Sequence, residues 1–391
     1  MLHDSTVRKP PSTLDGLDPL GSPAGAPGAE SLRTYHSSLG RPLPEYTPPE
    51  PLQELCWSAR YQIRRLLGKG SQGVVYLARR EGVDGYFTNV ALKLFYRNPG
   101  LGLEDYQAEM RRIALQAQRV SRVQHDSLIS IRDFVTIGET RVMVLEWIDG
   151  LDIDHLLDLK RMEALRQQLP KKLWDHLNEV IVTPGEDHCR LKSGIAVDIL
   201  RGCLTGLASL HQRGIVHCDL KPSNIMIKRT GTKKIIDVDS SCVPSADPPH
   251  LRGTPYYMAP EVIRGKPSQV RSDIASLGYV LLEMLTGRRI FKGCDTMAAL
   301  LDAKMRLPER LKQILPKEVL DDPNLSGLVA KMVAVEPKDR FPDADAAELD
   351  HLGAVNFHRQ LVKSNLSTEY NRELAWWLDL LRDEPGEAVE L

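Results

Sequence analysis

The chain has 391 residues, of which 42% are hydrophobic and 26% are charged, a composition typical of a soluble globular protein with a sizeable core. Its 51 Lys and Arg residues nearly balance its 52 Asp and Glu residues, so the formal net charge of −1 gives no basic footprint, and no nucleic-acid partner is expected. The six cysteines form no C-x-x-C pair, which argues against structural zinc and a disulfide scaffold and favours a reduced, cytoplasmic setting.

The sequence predicts neither a membrane span nor a secretory signal. The longest mostly apolar stretch, 277–285, is interrupted by Glu283 and is far shorter than the roughly 18 residues that a spanning helix needs. The N-terminal residues, MLHDSTVRKPPST, contain no apolar h-region. We therefore predict a cytoplasmic protein without a membrane span.

Residues 1–54 differ in composition from the rest of the chain, because they hold ten of its 26 prolines together with clustered Gly and Ser. Such a segment buries too little apolar surface to offset the entropy of ordering, so we predict that it is disordered. It is either a passive tail or a docking segment for a partner that binds proline-rich peptides.

Residues 61–147 are predicted to form a small, strand-rich part. Short β-like runs at 61–67 and 73–79 flank a glycine-rich turn, and a third run follows at 88–95. The other elements predicted here are a helix at 104–123 and strands at 128–134 and 141–147. Five strands with one inserted helix make a small, mostly antiparallel lobe of the α+β class.

Residues 148–345 are predicted to be larger and mainly helical. The segment 195–212 carries apolar residues at helical spacing, and the segment 272–286 is apolar almost all round, as expected of a helix at the centre of a domain. A highly charged segment, 160–194, is interpreted as an insertion of helical character. A C-terminal helical extension, 346–391, follows.

Residues 67–75, Leu-Gly-Lys-Gly-Ser-Gln-Gly-Val-Val, contain a G-x-G-x-x-G motif. Glycines let backbone amides approach phosphate oxygens without a Cβ atom in the way. A dinucleotide-binding fold uses the same spacing, but at a strand-to-helix turn and with an acidic residue about 20 positions later. Here the β-branched Val74 and Val75 predict that the chain continues as a strand, and Lys93 stands where the acidic residue would be. A phosphate site of another kind is therefore favoured over a dinucleotide-binding site.

Lys93 lies inside an apolar strand, at the fourth position of the sequence Val-Ala-Leu-Lys at 90–93. A buried ammonium group is costly unless an anion meets it, so Lys93 requires a phosphate or a carboxylate partner. Period-2 alternation places Ala91 on the same face of the strand, where a small side chain leaves room for a flat base.

Acidic and amide side chains follow two apolar runs further along the chain. Asp219, Lys221 and Asn224 come after the run 214–216, and Asp237 ends a second strand. Carboxylate and amide oxygens are hard ligands suited to Mg²⁺, which normally arrives with phosphate. The sequence therefore predicts a site for a metal-bound nucleotide.

Several motifs occur in a fixed order along residues 61–345. They are Gly68-x-Gly70-x-x-Gly73-x-Val75, Val90-Ala91-Leu92-Lys93, His217-Cys218-Asp219-Leu220-Lys221-x-x-Asn224, Asp237-Val238-Asp239, Gly253-Thr254-x-x-Tyr257-Met258-Ala259-Pro260-Glu261, Asp273-x-x-Ser276-x-Gly278 and Asp339-Arg340-Phe341. This ordered set resembles the eukaryotic-like serine/threonine protein kinase family, and the chain looks like a bacterial member. The resemblance implies a bilobal protein kinase fold, with a small lobe at 61–147 and a large helical lobe at 148–345.

The resemblance implies a role for each matching residue in transferring the γ-phosphoryl group of Mg-ATP to Ser or Thr hydroxyls of proteins. Asp219 would accept the hydroxyl proton, and Lys221 would steady the γ-phosphate. Asn224 and Asp237 would hold Mg²⁺, with Mn²⁺ as the alternative ion. Lys93 would bind the α- and β-phosphates.

The other ATP-binding residues implied by the resemblance lie in the glycine-rich turn, the third strand and the segment after the fifth strand. They are Leu67, Gly68, Gly70, Gly73, Val75, Ala91, Glu146, Ile148 and Asp152. Residues 146–148 would be the hinge that meets adenine, after the gatekeeper Leu145, and Asp152 would lie near the ribose. Glu261 and Arg340 would form a structural ion pair.

Two residues depart from the family pattern near the expected active site. Cys218 replaces the usual Arg, which normally receives an activation-loop phosphate, so the resemblance implies activity without such phosphorylation. The thiol itself is interpreted as a small packing group. Asp239 stands where the family usually has Gly, and we interpret it as a turn or capping acid rather than an additional ligand.

The carboxylate partner of Lys93 is a third departure. The usual family spacing points to Gln116, which cannot form an ion pair. Glu109 lies seven residues earlier, two helical turns away on nearly the same face. We favour Glu109 as the partner, and the alternative is that Glu109 is a solvated surface charge.

The competing hypothesis is a nucleotide-binding pseudokinase that acts as a scaffold. It is favoured by the presence of Asp239 and by the ambiguity over which carboxylate pairs with Lys93. A small-molecule kinase is disfavoured because 253–261 resembles the peptide-facing segment of protein kinases. Trp376 and Trp377, in a predicted helix at 368–382, dock either on the chain's own large lobe or on a partner.

Overall fold

The computed structural model describes residues 60–70, 72–96, 102–137, 140–247, 253–363 and 370–381. All of these residues belong to one compact unit that spans Ala59–Leu391. The segment 1–54, predicted to be disordered and to be a candidate docking segment, lies outside the described residues.

Five antiparallel strands form the sheet of the small lobe, which confirms the predicted α+β architecture. The strands are β1 (Arg60–Lys69), β2 (Gly73–Glu81), β3 (Phe87–Phe95), β4 (Ile131–Ile137) and β5 (Thr140–Glu146), in the spatial order β1-β2-β3-β5-β4. The central strand β3 is buried from Val90 to Lys93, which explains why its sequence is a nearly continuous apolar run.

Helix α1 (Leu103–Ser121) covers one face of this sheet. Its buried apolar residues recur every three or four positions, as one helical face requires; they are Tyr106, Met110, Ile113, Ala117 and Val120. The first four pack against Phe95 of β3 and Met143 of β5, and Val120 belongs to the main core. Because side chains alternate along a strand, Ala91 and Lys93 share this face with Phe95.

The large lobe begins with a small sheet that supports the catalytic segment. Strand β6 (Gly150–Asp152) pairs with β9 (Ile225–Lys228), which pairs with β10 (Lys233–Ile235), and a separate hairpin joins β7 (Val182–Pro184) to β8 (Cys189–Leu191). The helices are α2 (Ile153–Leu156), α3 (Leu159–Gln168), α4 (Lys171–Val180), α5 (Ser193–His211), α6 (Pro260–Ile263), α7 (Val270–Thr286), α8 (Met297–Met305), α9 (Leu307–Ile314), α10 (Lys317–Leu320), α11 (Pro323–Met332), α12 (Ala344–Leu349), α13 (Ala354–Lys363) and α14 (Tyr370–Leu380). The segment 160–194 therefore contains most of α3, then α4 and the hairpin.

Helices α5 and α7 form the centre of the large lobe. Every residue of α7 from 272 to 286 is buried, in agreement with its all-round apolar sequence. Among the described helices, α5 is the one that is long and apolar enough to cross a membrane, but 61% of that stretch is buried within the domain. Asp198 and Arg201 interrupt the apolar residues of α5.

The C-terminal helix α14 packs on the chain's own large lobe. The side chain of Trp377 is fully buried in the main core, and Tyr370 at the start of the helix lies against Gly194 of α5. Trp376 contacts the ring of His176 on α4, with ring centroids 5.6 Å apart. The structure therefore supports self-docking of the tryptophan pair.

Glu261 and Arg340 form a buried ion pair in the large lobe. Nη1 and Nη2 of Arg340 each donate to one carboxylate oxygen of Glu261 at 2.8 Å, and Ser272 donates to the same carboxylate at 2.7 Å. Burial opposes ionisation of Glu261, but the hydrogen bonds from Arg340 hold the pKa of Glu261 below its usual value.

Candidate active site

The loop that carries Asp219 is anchored to the core helix α7. The carboxylate of Asp273, in the first turn of α7, accepts the backbone N–H groups of His217 at 2.8 Å and Cys218 at 3.0 Å. Cys218 has a φ of 68°, in the left-handed region that costs a non-glycine residue about 1 kcal/mol. The two hydrogen bonds stabilise this backbone, which directs the next residue, Asp219, toward the cleft.

Asp219 lies at the centre of a group of polar side chains. One carboxylate oxygen, Oδ1, accepts hydrogen bonds from the backbone N–H and the hydroxyl of Thr254, both at 2.8 Å. The other, Oδ2, lies 2.9 Å from Nζ of Lys221 and 3.1 Å from Nδ2 of Asn224. Lys221 also donates to the Thr254 hydroxyl at 3.0 Å, so the structure brings all three predicted residues of this motif together.

Lys93 reaches across from the small lobe to the segment that follows β10. Its Nζ lies 2.7 Å from Oδ1 of Asp237 and also forms an ion pair with Oδ2 of Asp239. Burial alone would lower the pKa of Lys93, but the carboxylates of Asp239 and Asp237 raise it above its usual value. The lysine predicted to bind phosphate therefore has two anionic partners.

The interpretation of Asp239 as a turn or capping acid is wrong. Its side chain is only 1% exposed and faces Lys93 from the short 3₁₀ turn Val238–Ser240. Burial raises the pKa of Asp239 to about 6, opposed by Lys93 and reinforced by the neighbouring Asp237 carboxylate.

The favoured pairing of Glu109 with Lys93 also requires correction. Glu109 lies beside the buried face of α1, where both of its oxygens accept hydrogen bonds from Arg112, at 2.6 and 2.9 Å. The alternative position, Gln116, is fully buried and donates to Asp247 at 2.9 Å. Among the described residues, the carboxylates that pair with Lys93 are those of Asp237 and Asp239.

The thiol of Cys218 lies 3.3 Å from that of Cys242 in the segment after Asp239. The hydrogen bond between these thiols and burial both raise the pKa of Cys218 well above its usual value. Cys218 therefore has the properties of a packing residue rather than of a reactive thiolate.

Residues 61–351, about three quarters of the chain, match the protein kinase domain family. The chain belongs to the protein kinase family. This match includes both lobes and every residue of the site described above.

Bacterial serine/threonine-protein kinases are among the similar proteins. The chain is 29% identical to the serine/threonine-protein kinase PksC of Streptomyces coelicolor over 303 residues, which are 73% of this chain and 47% of the relative. It is 27% identical to PrkC of Bacillus subtilis over 84% of this chain and 45% of the relative. It is 28% identical to PknL of Mycobacterium tuberculosis over 77% of this chain and 67% of the relative. The chain thus spans less than half the length of the first two.

The glycine-rich turn of this kinase contains two kinds of glycine. A Cβ atom on Gly68 or on Gly70 would have no neighbour within 4 Å, whereas one on Gly73 would lie 2.0 Å from the carbonyl oxygen of Leu94. Gly73 is therefore required for the close approach of β2 to β3, and Gly68 and Gly70 leave open space for a ligand.

The residues predicted to surround adenine lie on one face of the small-lobe sheet. Val75 pairs with Lys93, and Ala91 pairs with the gatekeeper Leu145. Directly paired residues of antiparallel strands share a face, so Val75, Ala91 and Leu145 lie on the face that carries Lys93. Leu67 is 38% exposed and lies at the irregularity of β1 between Leu66 and Gly68. The contact of these residues with adenine stays a prediction.

The hinge is fixed to the large lobe by a buried ion pair that the sequence analysis missed. Nζ of Lys234, in β10, lies 2.6 Å from Oε1 of Glu146 and donates to the carbonyl oxygen of Leu128 at 2.9 Å. Two adjacent lysines, Lys233 and Lys234, just before the apolar residues Ile235 and Ile236 were the available signal. The side chain of Glu146 is thus an anchor, and the adenine contact expected of 146–148 remains a prediction for the backbone.

Asp152, predicted to lie near the ribose, caps helix α2. Its Oδ1 accepts the backbone N–H of His155 at 2.9 Å, and its carboxylate lies 2.8 Å from Nδ1 of the same histidine. The hydrogen bond that the ring of His155 makes to the Asp152 carboxylate raises the pKa of His155. The contact of Asp152 with a ribose stays a prediction.

The oxygen atoms of Asn224 and Asp237 fit a divalent cation that arrives with phosphate. Nδ2 of Asn224 donates to the carbonyl oxygen of Asp219 at 2.7 Å, which leaves the amide oxygen as an acceptor. Asp237 engages Lys93 through Oδ1, and its side chain is 31% exposed. Within the described parts of the chain, no cluster of three or more His, Cys, Asp or Glu residues forms a self-sufficient metal site. Mg²⁺ typically uses one or two protein ligands together with substrate phosphates, so this donor set suits it.

Proposed function

We propose that this kinase transfers the γ-phosphoryl group of Mg-ATP to Ser or Thr hydroxyls of protein substrates. The observation that carries the proposal is the surroundings of Asp219: an alcohol oxygen, that of Thr254, lies 2.8 Å from its carboxylate, and Lys221 lies 2.9 Å from the same carboxylate. A substrate hydroxyl at a similar distance would be oriented by an anion next to a cation. This is the arrangement that phosphoryl transfer to an alcohol requires.

Each residue of the site has a role in this proposal. Asp219 orients the substrate hydroxyl and accepts its proton, while Lys221 neutralises charge on the γ-phosphoryl group. Lys93 binds the α- and β-phosphates, and Asn224 and Asp237 hold Mg²⁺, or Mn²⁺ as the alternative. When bound, the metal ion neutralises charge that develops on the phosphate oxygens.

The pseudokinase hypothesis is disfavoured by the same geometry. Lys93 retains carboxylate partners despite the lack of one from α1, and Asp219, Lys221, Asn224 and Asp237 are all present near the cleft. A scaffold that only binds nucleotide has no requirement for Asp219.

The setting and partners of the protein are part of the proposal. The composition and the pattern of cysteines support a cytoplasmic kinase that acts in signalling, with Ser- or Thr-containing proteins as substrates. The proline-rich segment 1–54 is proposed as a docking segment for a protein partner.

Replacement of Asp219 by Asn tests the activity. The isosteric amide can keep the two hydrogen bonds from Thr254 through its oxygen but cannot accept the proton, so we expect a loss of at least about 10²-fold in kcat. The measurement is incorporation of radiolabelled phosphate into a generic protein substrate, with Asp345→Asn on the exposed surface of α12 as the matched control. Equal incorporation by wild type and Asp219→Asn would refute the proposed function.

A further inference from the structure

We propose that Asp239 is the residue that positions Lys93 for the nucleotide phosphates, in place of an acidic residue of helix α1. The inference rests on the proposed function and assigns a role to a side chain at a position where the resemblance predicts glycine.

Helix α1 offers no carboxylate to Lys93. Its acidic residues are Glu104, Asp105 and Glu109, which all lie in the first two turns of the helix. The buried face from Met110 to Val120 contains no acidic residue. Lys93 shares its face of the sheet with Phe95, which contacts Ile113 and its neighbours, so the helix presents apolar groups there.

Asp239 supplies the missing charge from the opposite side of the cleft. Its carboxylate contacts Lys93, and its side chain is 1% exposed. The side chain of Asp237, by comparison, is 31% exposed. A metal-bound nucleotide would therefore draw Asp237 toward the cation, while Asp239 remains a buried partner of Lys93.

Helix α1 is connected to this ion pair through a cation rather than an anion. Nη1 of Arg112 donates to the backbone carbonyl oxygen of Asp239 at 2.8 Å. The same guanidinium donates two hydrogen bonds to the carboxylate of Glu109, at 2.6 and 2.9 Å. Helix α1 is thus linked to Lys93 through a series of contacts: Glu109 with Arg112, Arg112 with the backbone of Asp239, and the side chain of Asp239 with Lys93. The helix contributes a cation to this series at the position next to Asp239, instead of a carboxylate that would contact Lys93 directly.

The alternative role for the Asp239 carboxylate is that of an additional metal ligand. The contact with Lys93 argues against this role. Oδ2 of Asp239 faces the ammonium group of Lys93, so this oxygen is already engaged by a cation. The two roles predict different effects of substitution on the requirement for Mg²⁺.

The test compares Asp239→Asn, which is isosteric and uncharged, with Asp239→Glu, which keeps the charge. We expect Asp239→Asn to lower kcat by about 10²-fold, since a misplaced phosphate-binding group costs about that much, with less than a threefold change in KM for ATP. Asp239→Glu should recover at least a tenth of the wild-type kcat. Half-saturation by Mg²⁺ at saturating ATP should stay within twofold of wild type in Asp239→Asn. Asp302→Asn, on the exposed surface of α8, is the matched control.

Arg112→Gln provides an independent check, because it removes the hydrogen bond that holds the backbone of Asp239. Its effect on kcat should be smaller than that of Asp239→Asn, and the two should be non-additive in the double variant. Additive effects would show that the helix does not act through Asp239.

Other outcomes contradict the proposal directly. Wild-type kcat in Asp239→Asn would overturn it, and so would a tenfold rise in the Mg²⁺ requirement, which would make Asp239 a metal ligand. Crystal structures of wild type and Asp239→Asn with Mg²⁺ and a non-hydrolysable ATP analogue give a readout without turnover: Lys93 should leave the phosphates in the variant. If wild type is inactive, the proposed function fails, while an unchanged Lys93 position in these structures would refute the role of Asp239 separately.

Discussion

Asp219 and Glu283 are both buried carboxylates, but their surroundings differ. Asp219 accepts hydrogen bonds from Thr254 and lies beside the ammonium group of Lys221. Glu283 of α7 instead accepts one hydrogen bond from the Tyr257 hydroxyl at 2.8 Å and is otherwise enclosed. Burial raises the pKa of Glu283 to about 7, against its usual value of 4.5, with smaller opposing effects from Tyr257 and Arg289 and a small reinforcing effect from Asp154.

The raised pKa of Glu283 makes stability depend on pH. Between the unfolded and folded pKa values the native state binds more protons than the unfolded state, so the free energy of unfolding falls as pH rises through this window. We expect Glu283→Gln, which can still accept the Tyr257 hydrogen bond, to gain about 2 kcal/mol relative to wild type between pH 5 and pH 8. Urea denaturation at both pH values measures this difference, and an equal difference at pH 5 and pH 8 would contradict it.

Residues that pair across long stretches of chain were the hardest to predict. Asp219, Asn224 and Asp237 were identified because each belongs to a short motif with fixed spacing. The partner of Lys93 is 146 positions away at Asp239, and local helical spacing in α1 carries no information about such a contact. The pair between Glu146 and Lys234 was missed for the same reason.

At the scale of elements, the strands and the core helix were predictable because burial imposes a period on their sequences. β3 is covered on both faces and reads as an apolar run, and α7 is enclosed and is apolar all round. The termini of α1 and the small elements of 160–194 were less predictable, since charged residues dominate there and no single period applies.

The close approach of β2 and β3 gives a prediction for the glycine-rich turn. Gly73→Ala would place a Cβ atom 2.0 Å from the Leu94 carbonyl oxygen, so the strands must separate locally. We expect the free energy of unfolding to fall by about 1–3 kcal/mol, the typical cost of overpacking. Gly68→Ala is the matched control for stability, because its Cβ atom meets no neighbour; similar losses in both variants would show that strand packing is not the cause.

At the scale of the whole molecule, the C-terminal helix α14 is part of the kinase core rather than an appendage. Trp377 is fully buried, whereas Trp376 beside it is half-buried against His176. The family match ends at residue 351, so this docking extends the folded unit beyond the matched domain.

The tryptophan pair provides a matched comparison of that docking. We expect Trp377→Ala to lower the free energy of unfolding by about 3–5 kcal/mol, because it leaves a large cavity. Trp376→Ala should cost less than half as much, since its ring keeps one exposed side. Thermal denaturation of both variants measures the difference, and equal losses would show that Trp377 is not a core residue in solution.

The hydrogen bonds from Asp273 to the backbone at His217 and Cys218 connect the reactive end of the molecule to its most enclosed helix. A loop anchored in this way cannot loosen by itself while the interior stays intact. Heat inactivation should therefore coincide with cooperative melting of the large lobe, rather than precede it as it does in enzymes whose reactive residues sit on independently mobile flaps.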